Sequence, residues 1–211
     1  MGRRSDKNAH LLVEGKNDQH VIWALCEQYH IPETFDVIVP GAGGLEAVLA
    51  DLPARIDESD LRALGIVLDA DENIQAPCNR LYIRFQEIGY DMPTQPVAEG
   101  FITLPPDRPP IGVWLMPDNQ LPGMLEDFVS ALIPPKDRLK PIADKTLQAI
   151  EKKGLNRYKL SHRPKALIHT WLAWQENPGM PLGQAITAQG LQHNQALAQC
   201  FVAWLQRLFS Q

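Results

Sequence analysis

The sequence predicts an α/β protein: a mainly parallel sheet flanked by helices, with a helical extension at the C-terminal end. Three observations carry that prediction. Over the first two-thirds of the chain, short apolar runs alternate with amphipathic stretches in a β-α-β-α-β-α rhythm, the pattern of parallel strands joined by crossover helices. The last third shows helical patterning only. The chain of 211 residues, 45% hydrophobic and 21% charged, has an ordinary globular composition and is long enough to bury a core without staples.

The elements follow in order. Residues 10–13 read as a short buried strand. Residues 17–30 read as a helix, with Val21, Ile22, Leu25 and Tyr29 near helical spacing. FDVIV at 35–39 is a second strand, closed by Pro40-Gly41. Residues 44–56 form a second helix, with Leu45, Val48, Leu49 and Leu52 on one side and a kink or early end at Pro53. LGIVL at 64–68 is a third strand that runs straight into DADEN. Residues 77–88 form a third helix. GFITL at 100–104 and IGVWLM at 111–116 are two further β runs, joined by the stiff, solvated PPDRPP. Helices are expected over 123–133, 137–153, 164–174 and 194–209, with breaks at PPK, GLNRYKLSHRP and NPGMPLGQ. The expected division is an α/β core over 1–133 and a helical extension over 134–211 packed on it. Trp171 and Trp174 are expected to pack between helices.

Charge and cysteine usage narrow the function classes. A net charge of -5 gives no global basic field, so nucleic-acid binding would need a local patch or metal ions. Such a patch exists between 136 and 165, where lysines and arginines including Lys152, Lys153 and Lys159 cluster. It reads as a solvated helical face or as a rim that contacts phosphates. Cys26, Cys78 and Cys200 lie far apart in helical stretches without C-x-x-C spacing, as buried free thiols of a reducing compartment do. MGRRSDKNAH is basic but leads into too few apolar residues for a signal peptide, and no run reaches membrane-spanning length. A cytoplasmic protein with no membrane partner is expected.

Two predicted strands end in acids. The first closes as V-E-G, with Glu14 at its tip. The third closes as L-D-A-D-E, with Asp69, Asp71 and Glu72. Functional groups of an open parallel sheet collect at the carboxyl ends of its strands. Asp69 and Asp71 are two apart, so an extended backbone would point both the same way. Like charges gathered there repel unless a cation sits among them, and hard divalent cations take oxygen ligands. Taken singly, a strand-end acid is often a helix cap or a solvated loop residue, and a lone D-x-D is common in turns. The pair of acid-tipped strands in one βα series is the stronger signal. PGAGG at 40–44 could cradle a phosphate through its amides, but no Gly-Lys-Ser/Thr closes it and a plain turn is the better reading. The six histidines show no H-E-x-x-H spacing; His20 lies near the Glu14 tip.

LLVEGKNDQHVI and GIVLDADEN resemble the two signature motifs of the Toprim domain, found in primases, type IA and II topoisomerases and OLD-family nucleases. The resemblance spans about residues 9–130. Within that family, the short OLD-like proteins, including those grouped as DUF3226, look most similar. GMLEDFV at 123–129 resembles their downstream acidic motif, and HRPKALIHTWLA at 162–173 their late lysine-bearing helix. The resemblance implies a Toprim-like, Rossmann-like sheet. It implies that Glu14 is a metal ligand or general acid/base, that Asp69 and Asp71 bind a metal, and that Glu72 is an outer-shell member. Glu126 and Asp127 would supply a second metal site, though acids in a first helical turn also suit the helix dipole. Lys165 would meet the phosphate under attack. The cofactor would be one or two Mg²⁺ or Mn²⁺ ions, and the partner DNA or RNA, bound weakly and in a salt-sensitive way.

The expected function is therefore metal-dependent phosphodiester cleavage of nucleic acid. Two rivals stand beside it. One is a non-catalytic metal-binding Toprim module that acts with a partner ATPase, since longer OLD proteins carry an ATPase and this chain has no ATPase motif. The other is a nucleotide-sugar glycosyltransferase, whose D-x-D binds Mn²⁺ and a diphosphate. Such an enzyme would open with a strand leading to a nucleotide-binding loop rather than to Val-Glu-Gly.

Overall fold

The computed structural model describes residues 8–210, so residues 1–7 of the basic opening lie outside it. In chain order the strands are β1 Ala9–Val13, β2 Asp36–Ile38, β3 Ala63–Asp69, β4 Phe101–Thr103 and β5 Ile111–Met116. The helices are α1 Lys16–Gln28, α2 Leu45–Ile56, α3 Gln75–Glu87, α4 Leu125–Ala131, α5 Lys140–Lys152, α6 Arg163–Ala173, α7 Leu182–Thr187 and α8 Ala196–Phe209. The strands form one sheet in the order β2-β1-β3-β5-β4, parallel except for β4, which runs antiparallel to β5 at one edge. This is a Rossmann-like α/β architecture ending in a C-terminal helix, as the sequence predicts. Among the described residues no helix is long and apolar enough to cross a membrane.

Strand periodicity explains the layers. Along β3, Leu64, Ile66 and Leu68 join the core shared with α2 and α3, while Ala63 and Val67 join the core on the other face. Along β5, Ile111, Val113 and Leu115 point one way, and Trp114 and Met116 the other. The second core also holds buried side chains of α1, α4, α6, α7 and α8. The helical residues beyond 134 thus share a continuous apolar core with one face of the sheet.

Gly65 on β3 and Gly112 on β5 are direct partners in the ladder. They leave a trough across two strands, and α8 lies in it. A Cβ on Gly112 would sit 2.7 Å from Leu208 Cδ2, and one on Gly65 would run into Leu11 and lie 3.1 Å from both Leu208 and Phe209. Around the trough, Trp114, Phe201 and Trp204 interlock, Phe209 stacks on Phe35 at 4.0 Å, and Trp204 Nε1–H donates to Phe101 O.

Several expectations need correction. Pro53 neither ends nor shortens α2, which continues to Ile56. Proline removes the donor that Leu49 O would accept from four residues on, and Arg84 Nε–H from α3 donates to that oxygen instead, at 2.9 Å. The expected break before 194 contains α7. Six residues are too few to show periodicity, yet Leu182, Ala185 and Ile186 are buried and Gly183 meets the backbone of His20 on α1. All three cysteines are free and helical, but Cys78 alone is buried, while Cys26 is partly buried and Cys200 is exposed. Trp171 is buried, with its Nε1–H on Asp137 Oδ1, whereas Trp174 is 40% exposed.

Gly112→Ala is expected to destabilise the fold by about 1–3 kcal/mol, because the added methyl overpacks against α8. Gly190→Ala, where the nearest atom would be 3.5 Å away, should change stability little. Urea midpoints of the two variants check this.

Candidate functional site

From β1 the chain moves outward to β2, then returns past β1 to β3. The strand order therefore reverses between β1 and β3. Open α/β sheets bind ligands in the crevice outside the strand ends at such a switch point. Glu14 follows the last residue of β1, and Asp69 ends β3. Asp69 N–H donates to Glu14 Oε1 at 2.8 Å, and Leu125 N–H, at the start of α4, donates to Asp69 Oδ1 at 2.8 Å. Two side-chain-to-backbone bonds thus tie β1, β3 and α4 together through the carboxylates themselves.

The glycine-rich turn before α2 braces this arrangement. Gly44 N–H donates to Glu14 O at 2.8 Å, Gly43 N–H donates to Pro40 O, and a Cβ on Gly43 (φ 84°) would collide with Glu14 O. The Gly44 amide holds the Glu14 backbone and the Gly43 amide closes the turn on Pro40, so both are engaged by backbone carbonyls. A plain structural turn is what the sequence favours here, and its structural task is specific.

The carboxylates border a cleft of about 430 Å³. Glu14, Asp69, Asp71 and Glu126 line it, and so does Lys165, whose Nζ lies 3.3 Å from Glu126 Oε1. Glu126 is only 4% exposed. Asp127 does not line the cleft: its Oδ2 accepts Met124 N–H at 2.9 Å, a helix-capping contact. Glu72 is exposed and stands outside it. His20 is also outside, close to the ring of Trp23.

Asp71 departs from the extended geometry assumed for D-x-D. Its φ is 51°, in the left-handed region, and its N–H and C=O pair with Gly123 O and N–H at 2.8 and 2.7 Å. The two aspartates of the motif therefore do not lie along one extended strand. The first belongs to the sheet and the second to a turn clamped against the approach to α4.

Asp18, Lys16 and Asn17 line the cleft as well, although the sequence does not single them out. Asp18 matters most. It sits in the first turn of α1, four residues after Glu14, and is 7% exposed. The available signal was an acid one turn into the helix that springs from an acid-tipped strand. Its ordinary explanation, a helix-start acid reaching back to the Gly15 N–H, also holds, since that amide helps stabilise its charge.

The cluster is under electrostatic load. Burial, then the neighbouring charges of Glu14 and Glu126, push the Asp18 carboxyl up to about 7 from 3.8. Burial and repulsion from Asp18 and Glu14 raise Asp69 well above the usual carboxylate range. Burial also raises Glu14, and the Asp69 N–H bond partly offsets that rise. Such a set is calmed by protonation or by a cation.

The donors suit a hydrated divalent ion better than a closed cage. Among the described residues, no three Asp, Glu, His or Cys groups are already arranged around a common point. Glu14 Oε1 and Asp69 Oδ1 each accept a backbone N–H, and the Leu45 amide at the start of α2 adds a second hydrogen bond to the Glu14 carboxylate, so both carboxylates are oriented by backbone amides. Mg²⁺ keeps several waters and takes one or two carboxylates, so Glu14 and Asp69 fit it, with Asp18, Asp71 and Glu126 nearby.

Fold and site together define an α/β protein with a Rossmann-like sheet and an acid-lined cleft at its topological switch point. The chain belongs to the DUF3226 family, described as proteins of unknown function, whose family model matches residues 8–210. No curated protein and no solved structure matches it.

A carboxyl raised in the folded state stabilises that state fully below its unfolded pKa and loses the contribution as pH rises through the folded value. Without divalent cations, stability contributed by Asp18 should therefore fall between about pH 4 and about pH 7. Asp18→Asn should flatten that fall and gain about 1–2 kcal/mol at pH 8, a common result of relieving functional strain. Thermal melts from pH 4 to pH 8 in chelator, run on both proteins, check the sign (an unchanged pH slope in Asp18→Asn contradicts it).

Proposed function

We propose that the protein is a Toprim-type, Mg²⁺- or Mn²⁺-dependent phosphodiesterase acting on DNA or RNA, with nuclease-like hydrolysis as its reaction. One observation carries this reading: Glu14 and Asp69 meet at the switch point, other acids gather around them, and Lys165 of α6 lines the same cleft beside Glu126. The motif resemblance at residues 11–22 and 65–73 supports it.

Each residue then has a task. Glu14 and Asp69 would hold the ion, their carboxylates oriented by the Asp69 and Leu125 amides. A divalent ion at that position would supply Lewis-acid polarisation of a phosphoryl oxygen and a water activated near neutral pH. Lys165 keeps its charged head at the cleft through Glu126 and can turn to a phosphate, where positive charge counts most as negative charge develops. Lys16, at the start of α1, and His162, just before α6, line the cleft and offer further polar contacts. Lys140 and Arg163 of the basic stretch are engaged elsewhere, on Ser130 O and on Asp144 and Glu151. Nucleic acid would thus meet only a local rim, and its affinity would fall steeply with salt.

The test begins with thermal melts. Mg²⁺ or Mn²⁺ should raise Tm, because an ion that binds only the folded state stabilises it by mass action. Asp69→Asn should remove most of that shift. Purified protein with either ion should then nick DNA or RNA. Glu14→Ala should reduce the rate by about a hundredfold or more, and Lys165→Ala should lower turnover more than binding. Cleavage that survives Glu14→Ala would expose a contaminant. A Tm shift without any cleavage would leave a metal-binding module that acts through a partner such as an ATPase.

A further inference from the structure

Helix α5 carries a face that the fold does not use. Its inner side, Ala143 and Leu147, is buried. A second side grips α6: Arg163 pairs with Asp144 and with Glu151, each at 2.9 Å, and Tyr158 donates to Glu151 at 2.6 Å. The third side is open. Ile142, Ala149 and Ile150, joined by Leu155 just past the helix, line a shallow groove of about 370 Å³. Ile142 is 52% and Leu155 66% exposed. Lys145 and Lys153 flank the groove, and among the described residues neither pairs with a carboxylate.

We propose that this groove is the docking site for an amphipathic helix of a partner protein, with apolar residues on one face and acidic residues along its flanks. The charge pattern selects that occupant. A second copy docked through the same face would bring together two strips that each carry Lys145 and Lys153 and no acid to offset them. A nucleic-acid backbone would satisfy the lysines and leave Ile142 and Leu155 in water. A flat lipid surface would not fill a recess. An amphipathic helix does all that is needed: anchors at i, i+3/i+4 and i+7 enter the groove, and acids meet Lys145 and Lys153. The site has a route to the cleft, because α5 holds Arg163 on α6 and Lys165 stands two residues further along that helix. The inference does not depend on the proposed reaction.

The test uses the full chain and three fluorescein-labelled synthetic peptides, each about four helical turns long: a leucine-faced helix flanked by glutamates, the same helix flanked by lysines, and a scrambled form of the first. Fluorescence anisotropy should show the glutamate-flanked helix binding at least about tenfold tighter than either control. The double variant Lys145→Glu/Lys153→Glu should reverse the preference toward the lysine-flanked helix, and Ile142→Asp should abolish binding of both. All three substitutions are on the surface, and thermal melts should match the parent protein. Equal binding of the scrambled peptide, or an unchanged preference in the charge-reversed variant, overturns the proposal. So does a concentration-dependent dimer that Ile142→Asp dissolves, or competition by phosphatidylserine vesicles equal to that of the unlabelled glutamate-flanked peptide.

Discussion

All five residues of β1 pair in parallel with residues of β3, from Ala9 against Ala63 to Val13 against Val67. That register sets the height of both strand tips. Glu14 follows Val13, so its side chain reaches the level at which Asp69 presents its N–H. A slip of one residue would turn Glu14 to the other face and break the bond. The interior residues of the two strands, Leu11, Leu12, Ile66 and Val67, are fully buried, and their burial fixes the register. The apolar ladder is thus what allows acids to be placed where acids are unfavourable.

The cost of that placement falls on the tips alone. Buried carboxylates that repel one another destabilise a fold unless hydrogen bonds or a counter-ion offset them. Here the offset is partial. Backbone amides serve Glu14 and Asp69, and Lys165 serves Glu126, but Asp18 and Asp69 keep raised proton affinities. A protein shaped by stability alone would have neutralised such a cluster. Its persistence at the switch point, within an otherwise well-packed structure, is the physical reason to read it as a site.

Much of this was visible in the sequence because it is periodic or local. Continuous apolar runs marked β1, β3 and β5, and the alternation with helices fixed the fold class. Glu14 and Asp69 were legible because each ends such a run. What escaped depends on contacts between distant segments. Pro53 was misjudged because its effect hinges on Arg84, a residue of the next helix. Asp127 and Glu126 looked equivalent, yet one caps α4 and the other enters the cleft, a difference set by their angular positions on a short helix. Asp18 was hidden behind an ordinary role as a helix-start acid. Gly65 and Gly112 read as unremarkable strand residues until the register set them side by side beneath α8.

Asp71 shows most directly how a motif differs from its geometry. The spacing of D-x-D suggests two side chains projecting from one strand. The backbone instead leaves the sheet after Asp69 and turns through a left-handed residue, a conformation that aspartate tolerates better than most. The turn is held by two hydrogen bonds to Gly123, itself at φ 147°, where a Cβ would lie 2.8 Å from Asp127 Oδ2. Asp127 in turn caps the helix that places Leu125 N–H on Asp69 and Glu126 beside Lys165. The acids of β3 and α4 are therefore coupled through backbone, not only through charge. The loop after β3 and the approach to α4 are thus tied to each other at Gly123 by two backbone hydrogen bonds, so the placement of Asp69 and that of Glu126 share one backbone constraint.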